Sequence, residues 1–335
     1  MFSLRRSAAM LLAVLTTVVF HSLAQAADPG LPLPADGVMN DQKPGSVLVF
    51  NSYSSGATSG TSQNTRIAIT NTNPTEPVFV RFYFATDQLG PEAIISTFIC
   101  LAPNQTVAFL TSDFDPGVTG FLIAVAVHPQ LECPVGFNYL TGRADIKFTA
   151  GYQATLEAQT IAALFTGVMP GCQSGTGSAT LLFNGSSNGY DRLPRTLVID
   201  RLFSPAEGND ALLFINRLGG STSRFTDRIG LLVGTLYDDA GNSFDFTRDI
   251  ALRQYRSSVS ALYSSNLGSA LPAGRKGWMK FSATQSNDFA LFGAVVNLNA
   301  NSQASRTVFS GGQNLRALTF TGGVTLTISM RPPSC

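Results

Sequence analysis

From Gly45 onward the chain is written in short β-branched and aromatic runs broken by turn formers, a pattern of strands. Val47–Phe50, Thr65–Thr70, Val78–Phe84, Phe121–Val127 and Ile146–Phe148 are such runs. Arg66-Ile67-Ala68-Ile69-Thr70 alternates polar and apolar, the period of two that a strand with one wet face requires. Val78–Phe84 is apolar except at Arg81, which predicts a strand covered on both faces or lying at the edge of the core. Ala154–Phe165 reads differently. Its Leu156, Ile161, Ala162, Leu164 and Phe165 fall partly on one helical face, and a helix is expected there. Residues 27–44 and Gln173–Asn188 are rich in Pro, Gly, Ser, Asp or Asn without periodicity, and read as leader and linker.

The N-terminus has another texture. Arg5 and Arg6 precede the uncharged apolar run Ala8–Phe20, and Ala24-Gln25-Ala26 supplies small-x-small spacing, so residues 1–26 read as a secretory signal peptide. The run is too short to cross a bilayer, which takes about 20 residues. Ser7-Ala8-Ala9 after the arginine pair favours Sec export over twin-arginine export. The expected location is therefore periplasmic, cell-surface or extracellular.

The second half repeats anchors of the first in the same order. Val47-Leu48-Val49-Phe50-Asn51 matches Leu197-Val198-Ile199-Asp200, and TRIAITN, ending at Asn71, matches ALLFIN, ending at Asn216. Gly117-x-x-Gly120-Phe121 matches Gly274-x-x-Gly277-Trp278, with Gly136 and Gly293 each sixteen residues further on. Phe148–Gln153 resembles Phe309–Gln313, one residue shorter. Ordered recurrence of this kind predicts a duplicated unit: residues 45–168 and 191–335, separated by a linker or loop at 169–190. Four cysteines in an oxidising compartment predict disulfides. One bridge per unit gives Cys100–Cys133 and Cys172–Cys335.

Removing residues 1–26 leaves 309 residues with 20 basic and 21 acidic side chains. With no strong field of either sign, nucleic acid is not an expected partner, and the mature chain has no membrane-spanning stretch. A chain 44% hydrophobic and 13% charged has material for cores and is not a disordered polymer. Histidine is scarce: only His128 survives processing, which excludes a metal site built on two imidazoles of one chain. A serine triad would have to use His128, which stands where a strand ends. Gly185-Ser186-Ser187-Asn188-Gly189 spells a nucleophile-elbow pattern, but Tyr190-Asp191-Arg192-Leu193-Pro194 is no helix, so a Gly/Ser loop is expected. Asp238-Asp239-Ala240-Gly241-Asn242 is a hairpin-turn signature. With Asp245 the residues Asp238, Asp239 and Asn242 are also weak calcium candidates, and Asp113 and Asp115 share the ambiguity. Trp278, the only tryptophan, is expected in the core because its repeat partner Phe121 opens an apolar strand, although sugar-binding sandwiches expose such residues as stacking platforms. No catalytic residue and no cofactor is assigned.

The fold class expected is all-β: two tandem antiparallel sandwiches, immunoglobulin-like in the architectural sense, with minor helical insertions. The texture (exported, rich in Gly, Ser and Asn, with turn–strand repeats) resembles uncharacterised secreted bacterial proteins built from Ig-like modules. The resemblance implies a fold and transfers no functional residue. The function expected is a non-enzymatic structural, adhesive or interaction protein, with a protein or cell-surface polymer as partner. A carbohydrate or small-ligand binding module and a carboxylate hydrolase on a β scaffold are the alternatives.

Overall fold

The computed structural model describes residues 37–39, 42–56, 63–86, 94–148, 153–222, 227–263, 266–284, 288–299 and 311–330. Residues 1–26 (the expected signal peptide), Cys335 and residues 27–44 other than 37–39 and 42–44 lie outside them. The first half contributes β1 (Val47–Ser54), β2 (Asn64–Asn71), β3 (Val78–Thr86), β4 (Ile94–Leu101), β5 (Thr106–Leu110), β6 (Thr119–Val127), β7 (Val135–Gly136), β8 (Leu140–Lys147), β9 (Gln153–Glu157), β10 (Gln159–Ile161) and β11 (Gly167–Val168). The second contributes β12 (Ser178–Phe183), β13 (Pro194–Phe203), β14 (Asn209–Leu218), β15 (Gly220–Ser221), β16 (Gly230–Asp238), β17 (Ser243–Ile250), β18 (Gln254–Ser258), β19 (Lys276–Ala283), β20 (Ala290–Asn299), β21 (Gly312–Asn314), β22 (Arg316–Phe320) and β23 (Val324–Ser329). Two four-residue helices, α1 (Val259–Leu262) and α2 (Leu267–Ala270), interrupt the second half. The fold is all-β, as the periodicity predicts.

Two sandwiches follow. In the first, a five-stranded sheet β10-β1-β6-β3-β4 faces a four-stranded sheet β5-β2-β8-β9. Leu48, Phe50, Phe82, Phe84 and Leu122 of one pack on Ile67, Ile69, Ala144 and Ile146 of the other. In the second, β22-β13-β19-β16-β17 faces β18-β14-β20-β21. Strand for strand the two orders correspond: β1 with β13, β2 with β14, β3 with β16, β6 with β19, β8 with β20. The register of β1 on β6 shifts between Phe50 and Tyr53, and that of β13 on β19 between Ile199 and Leu202. The Gly-x-x-Gly-aromatic motif has a geometric cause in both. Gly117 and Gly274 hold positive φ, of 86° and 80°. A Cβ on Gly120 would lie 2.0 Å from the Ala85 carbonyl oxygen, and one on Gly277 2.4 Å from that of Tyr237. The spacing match of Gly136 with Gly293 is not a match in the fold, because Gly136 sits in β7 and Gly293 in β20.

A third sheet, β12-β23-β15, completes the molecule. Ala179, Leu181 and Phe183 of β12 and Val324, Leu326 and Ile328 of β23 alternate inward. They cover the outer face of the first five-stranded sheet, where Val47, Val49, Tyr83, Phe121, Ile123 and Val125 are buried. The near-continuous apolar run of Val78–Phe84 is explained: β3 is covered on both sides. The stretch 169–190 is therefore not only linker. Its six-residue alternation in β12 is short and framed by Gly and Ser, and its partner strand lies far along the chain. The end of the leader is also tied down. Lys43 bonds buried Asp191 at 2.9 Å, and the Asp191 carboxylate accepts the Ala162 amide at 2.9 Å.

Where the sandwiches meet, a buried carboxamide network replaces apolar packing. The Asn51 amide nitrogen lies 2.7 Å from Gln159 Oε1, 2.9 Å from Asn314 Oδ1 and 3.0 Å from the Gly293 carbonyl. Asn216 donates to the Asn51 carbonyl at 2.9 Å and side chain at 3.0 Å, and Gln254 donates to Asn216 at 2.7 Å. The side chains of Phe214, Ala294 and Val296 extend the first core into the second half.

Two expectations fail. Ala154–Phe165 is not a helix: Ala154 and Leu156 alternate inward on β9, and Gln159–Ile161 crosses to β1 as β10. The segment is rich in helix formers, but it closes the open side of the first sandwich, and ladder partners override a propensity of tenths of a kcal/mol per residue. The disulfide pairing also differs. Cys133 bonds Cys172, not Cys100. In the sheet, Cys100 pairs Phe79, which pairs Val127, whereas Pro134 lies opposite Val127 on the other side. Cys100 is thus about 10 Å from the end of β6 at ~4.8 Å per strand, beyond bridging range. The β7–β11 pairing of Val135 with Val168 brings Cys133 and Cys172 together instead. Cys100 is itself disulfide-bonded. The Cys133–Cys172 bridge closes 39 residues, for which chain entropy gives about 4 kcal/mol. A Cys133→Ser/Cys172→Ser variant is therefore expected to lose about 2–4 kcal/mol, read as a lower urea midpoint. Its slope should equal or exceed that of the parent, because the unfolded chain is less compact without the bridge.

Candidate binding face

Among the described residues, no further sheet lies over the second five-stranded sheet. Its outer face carries, position for position, the equivalents of residues that are buried in the first sandwich. Val47, Val49, Tyr83, Ala85, Phe121, Ile123 and Val125 become Thr196, Val198, Thr235, Tyr237, Trp278, Lys280 and Ser282, as the pairing of each strand with β6 or β19 fixes. Trp278 is accordingly not a core residue: it is 37% exposed, while Phe121 is fully buried. The expectation of a core tryptophan fails because the strands that cover Phe121 belong to other parts of the sequence.

Tyr237 and Trp278 are direct cross-strand partners, with rings stacked 4.4 Å apart at 11°. The Lys280 ammonium lies 5.4 Å from the Tyr237 ring centre, and that of Lys276 5.9 Å from the Phe203 ring centre. Lys276, Trp278 and Lys280 occupy alternate positions of β19 and so share one side of the sheet. Beside Lys280 is a hollow of about 470 Å³ lined by Thr196, Thr235, Asp245, Thr247, Ser282, Leu318 and Thr319 among others. Thr235 donates to Asp245 at 2.8 Å, and Thr319 and Thr196 share a hydroxyl bond at 2.7 Å. Leu318 is 54% exposed at its rim. Tyr237, Lys280 and Leu318 were not singled out from sequence. The alternation Lys276-x-Trp278-x-Lys280 was the available signal.

The four oxygen-rich candidates are divided between two tasks. The Asp238 carboxylate accepts the Ala240 and Asn242 amides at 2.9 and 2.8 Å, the Asn242 side chain at 2.8 Å and Arg275 at 3.1 Å. Asp239 pairs with Arg275, and Asp245 accepts from Thr235. The hairpin between β16 and β17 thus occupies Asp238 and Asn242, and Asp245 lies on the sheet. Among the described residues, no three His, Cys, Asp or Glu side chains are grouped to hold a metal ion. Asp113 caps the Leu110 amide at 3.1 Å. Asp115 is buried and accepts the Tyr53 hydroxyl. Burial pushes its carboxyl up and that bond pulls it back. His128 Nδ1 lies 3.2 Å from the Gln130 and Leu131 amides, a turn-capping position. Gly185–Gly189 is a turn in which Asn184 accepts the Ser186 amide at 3.0 Å, with no helix following.

No family model and no curated protein matches the chain. Among solved structures, the major pilin from Streptococcus pyogenes matches over 85% of this chain and 97% of that one, at 10% identity and a TM-score of 0.21. At that score the two backbones do not share a course.

Hydrogen bonds, first from the Asn242 side chain, hold the Asp238 carboxyl below its ordinary value. Its contribution to the hairpin is therefore complete above the unfolded carboxylate value of about 4 and is lost as pH falls through the lower folded one. Protection factors of the Ala240 and Asn242 amides, followed by NMR, are expected to be full above the ordinary carboxylate range and to fall as the pH drops below it. In Asp238→Asn that pH dependence should vanish.

Proposed function

We propose that this chain is an exported, non-enzymatic interaction protein of the cell envelope or extracellular space, built as a tandem repeat over residues 45–168 and 191–335. The repeat reading is supported by the strand orders and by the register shift common to β1 and β13. Export is supported by the signal-peptide pattern and by the Cys133–Cys172 disulfide, a bond of oxidising compartments. Among the described residues no helix is long and apolar enough to cross a membrane.

One observation carries the interaction reading: among the described residues, one sheet face is left uncovered and carries a stacked aromatic pair. The hydrolase alternative has less support. Three surface hollows of about 470, 570 and 320 Å³ hold Asp245, Glu157 and Glu157 respectively. Glycoside hydrolysis needs two carboxylates at one bond. The carbohydrate-binding alternative is favoured by the Tyr237–Trp278 stack and is compatible with adhesion.

The test is processing and location in the native cell. N-terminal sequencing is expected to begin at Ala27. On intact cells or in the medium, the protein is expected to be reached by external protease, with no free thiol. Full-length protein in the cytosol, starting at Met1 with reduced cysteines, would contradict the proposal.

A further inference from the structure

We propose that the outer face of the second five-stranded sheet binds an acidic saccharide, with Trp278 as the stacking ring, backed by Tyr237, and Lys276 and Lys280 as carboxylate partners. The hydroxyl-lined hollow beside Lys280 seats the adjoining sugar. This rests on the interaction-protein reading above and names its ligand class.

The comparison of equivalent faces carries the argument. The face in the first sandwich is apolar because a sheet of protein lies on it. Were a protein sheet to cover the second face in the same way, Ile123, Val125 and Val47 would have apolar equivalents, not Lys280, Ser282 and Thr196. Lysine and serine are depleted at the centre of protein interfaces. Were the face merely wet, exposed Trp278, Leu231 and Leu318 on one sheet would serve nothing. A ligand half C–H and half O–H suits the mixture. Its C–H face stacks on the rings, and its hydroxyls meet Thr196, Thr235, Ser282 and Thr319 around a hollow of about 470 Å³.

Charge selects the acidic class. Three carboxylates near this face are paired with cations, Asp200 with Arg316 and Asp238 and Asp239 with Arg275. Asp245 at the hollow accepts only the Thr235 hydroxyl among the described residues, so the acidic group must sit on the Lys276–Trp278–Lys280 side, away from Asp245. Lys276 and Lys280 form no ion pair among the described residues, and each lies over an aromatic ring. Four positions apart on one strand, they flank Trp278 on either side, each roughly 7 Å from it and roughly 13 Å from the other along β19. An ammonium on either side of a stacking ring presents two sites for the carboxylates of a repeating uronate. A charge-assisted hydrogen bond to each fixes the sugar's orientation.

Trp278 is the only tryptophan, so its emission reports on this face alone. The full mature chain is titrated with short oligogalacturonate, alginate and hyaluronan fragments, and with methyl-esterified oligogalacturonate. At least one acidic oligomer is expected to change the emission saturably. Affinity should fall with added salt, and should fall roughly tenfold or more on esterification or in Lys280→Gln. Lys276→Gln should act in the same direction, and calorimetry should find Trp278→Ala defective with the fold intact by circular dichroism. Equal affinity for acid and ester, or an unaffected Lys280→Gln, overturns the acidic assignment. An emission change on concentrating the protein alone assigns the face to self-association and overturns the proposal, as does silence towards every saccharide. Silence in a chain that is still processed at Ala27 and exposed outside the cell leaves the interaction reading standing. Failure of export removes that reading instead.

Discussion

A sheet that is apolar on both faces must be covered on both faces, and the rest of this molecule is arranged to meet that demand. In the first five-stranded sheet, Leu48, Phe50 and Leu122 point one way, and Val47, Val49, Phe121 and Ile123 the other. Each such side chain left in water would forfeit about 1.5–3 kcal/mol. The four-stranded sheet takes one face. The other is taken by β12 and β23, which flank the second sandwich in sequence and meet as neighbours over six residue pairs. The first sandwich is thus finished by strands from either end of the second half. The two are interlocked by coverage in addition to being joined in series.

The carboxamide network adds direction to this arrangement. Apolar contacts are tolerant of small shifts, while Asn51, Asn216 and Gln254, each at most 1% exposed, must find partners or lose the desolvation cost of a buried amide. Their mutual bonds are satisfied in one relative placement of β1, β14 and β18. Asn51 lies at the register shift of β1, where the local change in pairing turns it towards the second half. The network therefore specifies where the sandwiches meet, and the apolar cover supplies the stability.

Much of the fold could be read from the sequence, and the failures share a cause. A period-two run located β2, near-continuous apolar runs located β3 and β6, and the Gly-x-x-Gly motif marked the start of β6 and β19, because those features reflect local geometry. Long-range pairing was not legible. β12 is six residues among glycines and serines until β23 lies beside it. Ala154–Phe165 has helical composition until β8 and β1 claim it. One bridge per unit gave Cys100–Cys133 and Cys172–Cys335, whereas β3 separates Cys100 from β6 in the sheet and Cys133 bonds Cys172. Trp278 was misplaced for a related reason. It stands on β19 where Phe121 stands on β6, but among the described residues the cover that buries Phe121 has no counterpart over β19. That asymmetry, invisible to a comparison of the two halves, distinguishes a scaffold from a scaffold with a free face.

The central claim is that β12 and β23 are structural cover for the first sandwich, cooperative with it and not an appended flap. Native-state amide exchange measures this directly. Leu181 on β12 and Leu326 on β23 are expected to open with the same free energy as Ile123 on β6 and Val47 on β1, as members of one cooperative unit. Fast, low-energy opening of β12 and β23 while β1 and β6 remain protected would contradict the account.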